Sequence, residues 1–183
     1  KFSNLLLNEY ISEFAITYIY YAVLFSFLII IAVYDLKHKI IPDALSFIFG
    51  ALAFAGLFFF HNSNDAISGF YFQVPSILEF LSGVFIALPF AFFWFVSSGR
   101  WMGLGDAKLA LGIGWLLGLA GALSSLVIAF WSGTVIGLVL IVLSKNNKLS
   151  GLKIKMKSEI PFAPFLVLGA FLAFIFELNL FNV

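Results

Sequence analysis

Nineteen charged residues divide this 183-residue chain into long uncharged runs. The lengths of those runs constrain the fold more than any other feature. Glu13 to Asp35 leaves 21 uncharged residues, Asp43 to Asp65 another 21, Glu79 to Arg100 leaves 20 and Glu159 to Glu177 leaves 17. A helix needs about 20 apolar residues to cross ~30 Å of hydrocarbon. In lipid every backbone polar group must be satisfied internally, so only helices or a closed barrel can span. The apolar runs are continuous rather than alternating, which excludes the barrel. One run is anomalous, with 36 uncharged residues from Leu109 to Ser144. It fits two helices joined by a tight turn within Gly118–Ser125. The expected fold is therefore all-α, a polytopic membrane bundle of about six helices over 14–34, 44–61, 78–97, 106–119, 123–144 and 160–181, forming a single domain across 1–183.

Composition agrees. The chain is 63% hydrophobic and 10% charged, against about 25% charge in an ordinary soluble domain. So little charge cannot cover a water-soluble surface. A soluble enzyme, a nucleic-acid binder with a basic face and a disordered chain are excluded, and membrane lipid is the expected surrounding. The absence of cysteine excludes a disulfide framework, a zinc ribbon and thiol catalysis.

Orientation follows from Lys and Arg. With six spans, loops 35–43, 98–108 and 145–159 fall on one side and carry nine of the ten basic residues. That side is expected to be cytoplasmic, with both termini outside. The first apolar run is too long for a cleavable signal peptide and lacks a small-residue cleavage site. The polar stretch His61–Gln73 is expected to be an outer connector, and the basic run Lys145–Lys157 a headgroup anchor.

Few reactive groups exist. Two scattered histidines, His38 and His61, do not make a metal site. No G-x-S-x-G elbow is present, Ser132 has no evident base, and Ser124–Ser125 is expected in a turn. Carboxylates remain, and in or near membrane helices they are expensive enough to call for a function. Asp35 closes the first helix and Asp106 opens the fourth, so topology puts both at the cytoplasmic boundary. Two close carboxyls share one proton; the ionised one can activate water while the protonated one polarises a peptide carbonyl. Gly103 and Gly105, just before Asp106, are free to take positive φ and to let a backbone approach.

Plainer roles fit the same residues. Asp106 suits a helix N-cap with Lys108 snorkelling. Asp35 suits an interfacial pairing with Lys37, His38 or Lys39. Asp43, after Ile41–Pro42, is expected to cap the second helix. The G-x-x-x-G pairs Gly114/Gly118 and Gly133/Gly137 are explained by close helix packing.

The residues also carry a resemblance. Asp35 is followed by Ile41–Pro42–Asp43; Gly103-Leu-Gly105-Asp106-Ala-Lys108 follows; Ile160-Pro-Phe-Ala-Pro164 opens the last helix. In this order the motifs resemble the type IV prepilin peptidases, membrane aspartyl proteases of the G-x-G-D class. The resemblance implies Asp35 and Asp106 as catalytic pair, with Gly103, Gly105, Lys108, Pro42 and Asp43 as supporting motif residues. It implies no metal and no cofactor. The implied substrates are prepilins and pseudopilins, cut at the cytoplasmic face of a bacterial-type inner membrane, just before the substrate's apolar helix. Many bacterial members add a cysteine-bearing segment and methylate the new N-terminus. Nothing here matches that segment, so methyl transfer is not expected of this sequence. Asp43 or Glu159 is suggested to help hold the basic leader. Two other readings stay open: a G-x-G-D peptidase of other signal peptides, and a transporter or scaffold without enzymatic activity.

Overall fold

The computed structural model describes residues 2–60, 72, 74–100, 102–145, 161–178 and 180, with side chains placed from Ile11 onward except at a few positions near helix ends. The stretch 61–71, the basic run 146–157 and Glu159 lie outside the described residues. Among the described residues every regular element is a helix: α1 Phe2–His38, α2 Asp43–Gly56, α3 Ile77–Ser97, α4 Leu104–Lys145 and α5 Ala163–Ile175.

The expected six helices are thus five. The difference lies in α4, whose 42 residues cover both the fourth and fifth expected spans. A straight helix of that length would reach ~63 Å. It is broken at Gly118, where φ is 68° and ψ is 177°. The break reverses the chain. Phe162 lines the same cavity as Asp106, and its ring stacks near that of Phe130 at 5.1 Å. Phe130 could not sit at that level if α4 continued straight from Asp106, because the two would be ~36 Å apart. The G-x-x-x-G reading is therefore corrected at Gly118, which bends rather than packs. Its partner Gly114 does pack: a Cβ there would meet Gly83 Cα at 2.6 Å, across α3. Ser124 and Ser125 sit buried in the returning arm, not in a turn.

Helix ends explain the remaining departures. Apolar helices Phe14–His38 and Ile77–Ser97 are long enough to cross a bilayer, and so is the apolar stretch Leu104–Leu140, which the break at Gly118 divides into two arms. At 14 and 13 residues, α2 and α5 are shorter than their expected spans. α2 stops where the Tyr20 ring occupies the space a Cβ at Gly56 would need. The next residues tighten into i→i+3 bonds, Leu57 N–H to Phe54 O at 3.2 Å and Phe58 N–H to Ala55 O at 3.1 Å. α3 starts on a capping box, with Ser76 accepting from Glu79 N–H and the Glu79 carboxylate accepting from Ser76 N–H at 2.8 Å.

The core runs through the middle of the bundle. α1 contributes Leu24, Leu28 and Ile31, α2 Phe49, α3 Ile86 and Phe90, α4 Leu109 and Ile113, and α5 Leu166. α4 is the central element and packs on α2, α3 and α5, while α1 packs on α2 and α5. The crossing of α3 and α4 is close. Ser82 donates to Gly114 O at 2.9 Å and Trp115 Nε1 to Phe80 O at 3.0 Å. Such small-residue contacts with interhelical hydrogen bonds are how helices associate in lipid. The apolar bundle is an integral membrane protein.

Candidate active site

α1 presents its buried face at Leu24, Leu28, Ile31 and then Asp35, the i, i+4, i+7, i+11 spacing of one helical stripe. Asp35 thus points into the bundle on the face that packs the core. Asp106 does the same on α4, in line with Leu109, Ala110 and Ile113. Both acids are buried, at 5% and 8% exposure. The helices that carry them do not pack on each other; α2 and α5 stand to either side. The gap left between α1 and α4 is a cavity of about 740 Å³ lined by both carboxyls. The two side chains lie within electrostatic range of each other.

The cavity forms where α1 and α3 end and three helices begin. α1 finishes at His38, with Lys39 in the left-handed region at φ 55°. α2, α4 and α5 start there. The first amides of a helix lack intrahelical partners and carry the positive end of the dipole. One of them is used by an acid: Ala163 N–H donates to Asp35 Oδ2 at 3.3 Å. The backbone of Gly103 lies beside the Asp106 carboxyl, and Asp106 N–H donates to Gly103 O at 3.3 Å. Ala163 opens α5, so its amide has no intrahelical acceptor. Pro164 beside it has no N–H, and the amides of Phe165 and Leu166 both turn back to Phe162 O.

The motif residues divide by position. Gly105 sits against Ile41, where an added Cβ would lie 2.8 Å from the Ile41 Cβ. Its smoothness lets the start of α4 dock on the chain entering α2. Neither Gly103 nor Gly105 has positive φ; at this end of the bundle that conformation falls on Lys39, Ser98 and Gly99. Pro42, not Asp43, is the N-cap of α2, and no side chain caps that helix. Asp43 instead accepts from Lys108 Nζ at 2.6 Å, an ion pair tying the start of α2 to the start of α4. Lys108 is therefore paired rather than reaching to headgroups. No ion pair joins Asp35 to Lys37, His38 or Lys39 among the described residues; His38 lies over Tyr34, with ring centroids 4.3 Å apart. Lys39 and Arg100 complete the polar rim. Among the described residues no three acidic or histidine side chains gather to hold a metal ion.

The structure brings Asp35 and Asp106 to one cavity and adds the amide of Ala163, while Ile41 and Phe162, read from sequence only as motif residues, line it too. The one signal for the amide was Pro164, which marks the first turn of a helix, where amides lack intrahelical acceptors.

Two buried carboxyls, one of them bonded to a helix-end amide, thus open to one cavity. A search of curated proteins and a search of solved structures each returned no match. The profile of the type IV leader peptidase family matches residues 22–142, about two thirds of the chain and including both acids, so this integral membrane protein belongs to the type IV leader peptidase family.

Proposed function

We propose that the protein is an aspartic endopeptidase that removes the short basic leader from type IV prepilins and pseudopilins, at the cytoplasmic face of a bacterial-type inner membrane. The observation that carries this reading is the meeting of Asp35 and Asp106, 71 residues apart in sequence, on one cavity. The family membership supports a leader peptidase. The nine basic residues that the sequence puts in loops 35–43, 98–108 and 145–159 support the cytoplasmic orientation.

In the proposed reaction one carboxyl of the pair is ionised and takes a proton from a water held between the acids. The hydroxide equivalent attacks the scissile carbonyl. The other carboxyl, protonated, hydrogen-bonds the carbonyl oxygen and stabilises the charge that develops there. Collapse of the tetrahedral intermediate returns a proton to the leaving amine. The amide of Ala163 holds the Asp35 carboxyl throughout. Lys39 and Arg100 at the rim exclude an unselective electrostatic attraction for basic leaders, and Asp43 is occupied by Lys108. Leader capture therefore draws on the anionic lipid surface and on exchange at Asp43.

The test is cleavage of a prepilin by purified protein in proteoliposomes. Asp35→Asn and Asp106→Asn keep shape and polarity but cannot cycle a proton. Each is expected to lower turnover at least ~100-fold, within the range that positioned acid–base catalysis supplies, while thermal unfolding stays near that of the wild type. Near-normal turnover in either variant overturns the paired mechanism. Equal cleavage of an unrelated signal peptide would assign a broader G-x-G-D peptidase.

A further inference from the structure

A second cavity, of about 850 Å³, runs along the outer side of the bundle between α2 and α4. Its walls are Phe47, Gly50, Ala51 and Phe54 on α2 and Leu111 and Trp115 on α4. It begins at the Asp43–Lys108 ion pair, and Asp43 also lines the carboxyl cavity. The groove and the carboxyl cavity thus meet at Asp43. From Asp43 to Phe54 it follows three helical turns, ~16 Å toward the other leaflet. Along that length polarity changes abruptly, from carboxyls and an ion pair to aromatic, aliphatic and small residues.

On the peptidase reading, the bond to be cut is followed at once by the substrate's own apolar helix. That helix must leave the carboxyl cavity into a surface that is apolar, continuous with the site and open sideways to lipid. We infer that the α2–α4 groove seats the apolar helix of the substrate immediately after the scissile bond. The dimensions suit this occupant. A volume of about 850 Å³ spread over ~16 Å gives a section of ~50 Å², near half that of a helix ~10–12 Å across. A helix would lie half sunk, its other side against lipid. Gly50 and Ala51 permit close backbone approach, as small residues do between membrane helices. Gly50 is buried, yet an added Cβ there would meet no atom within 4 Å, so its open side faces vacant groove. Phe47, 78% exposed, forms the outer lip.

The experiment compares two substrates in proteoliposomes: a full-length prepilin, and a short peptide that ends a few residues after the scissile bond and lacks the apolar helix. Gly50→Leu fills the groove from a position with room for the new atoms. The ratio of full-length to short-peptide cleavage is expected to fall at least tenfold, chiefly through a higher KM for the full-length substrate. Enlargement at Val135→Phe, on an exposed face of the returning arm of α4, leaves the ratio unmoved. If Gly50→Leu is not recovered folded, Ala51→Trp on the same exposed wall serves, with a photocrosslinking residue at position 51 as second readout. Crosslinks to the prepilin helix support the inference; crosslinks to lipid alone, or a ratio equal to that of the wild type, overturn it. Wild-type protein that cuts neither substrate defeats the peptidase reading itself, which a normal wild type with an unmoved ratio does not.

Discussion

Gly105 shows how a single missing side chain positions the site. Its Cα faces Ile41 so closely that a valine there would drive the start of α4 away from the chain entering α2. Asp106 follows by one residue and would move with it. Gly105→Val is expected to lower cleavage at least tenfold, and Ile41→Ala in the same chain to restore part of the loss; the two single variants and the double variant form a cycle whose coupling reads the contact. The Asp43–Lys108 pair should behave differently. Its side chains are 41% and 78% exposed, and an exposed ion pair contributes only about 0–1 kcal/mol. Lys108→Met is expected to shift thermal unfolding by no more than a few degrees, with the difference vanishing in high salt. The role of Asp43 as a cap was misjudged from sequence because Pro42 already sets the entry angle and the nearest cation comes from another helix.

At the scale of elements, Gly118 is the most exacting position. With φ 68° and ψ 177° it occupies a region essentially reserved for glycine. Gly118→Ala is expected to cost about 1–3 kcal/mol, measurable as a lower unfolding midpoint in detergent titration, and to impair the packing of Phe130 on Phe162. The 36-residue run announced a reversal, and the reversal is there; its economy was not legible. A tight turn was expected near Gly118–Ser125, and the single residue Gly118 turns the chain before the helix resumes beside it. The lengths of α2 and α5 were overestimated for a related reason. Charges mark the latest point at which a span can stop, whereas α2 gives way to i→i+3 bonds just after Gly56, where Tyr20 packs. Which face of α1 turns inward was equally hidden, because an apolar helix in lipid has no polar side to betray its buried one. Only the burial of Leu24, Leu28, Ile31 and Asp35 reveals it.

For the whole molecule, the gathering of helix ends is the organising fact. That the two acids share an end followed from counting spans and loop charges; that an amide from the last helix reaches Asp35 did not, since sequence order says nothing of which helices become neighbours. Two expectations belong to this scale. Because one acid must be ionised and the other protonated, cleavage should pass through a maximum with pH, failing on the acid side when both are protonated and on the alkaline side when both are ionised; a flat profile would oppose the shared-proton reading. Because the chain has no cysteine of its own, Lys37→Cys and Val74→Cys report sidedness cleanly. The first should react with an impermeant maleimide only from the cytoplasmic side and the second only from the opposite side. The bond from Ala163 to Asp35 spans 128 positions of sequence, and this bears on biosynthesis. A ribosome delivers both acids to the membrane long before it delivers residue 163. The nascent protein thus holds both acids before the strut that steadies one of them exists, and competence waits for the arrival of α5.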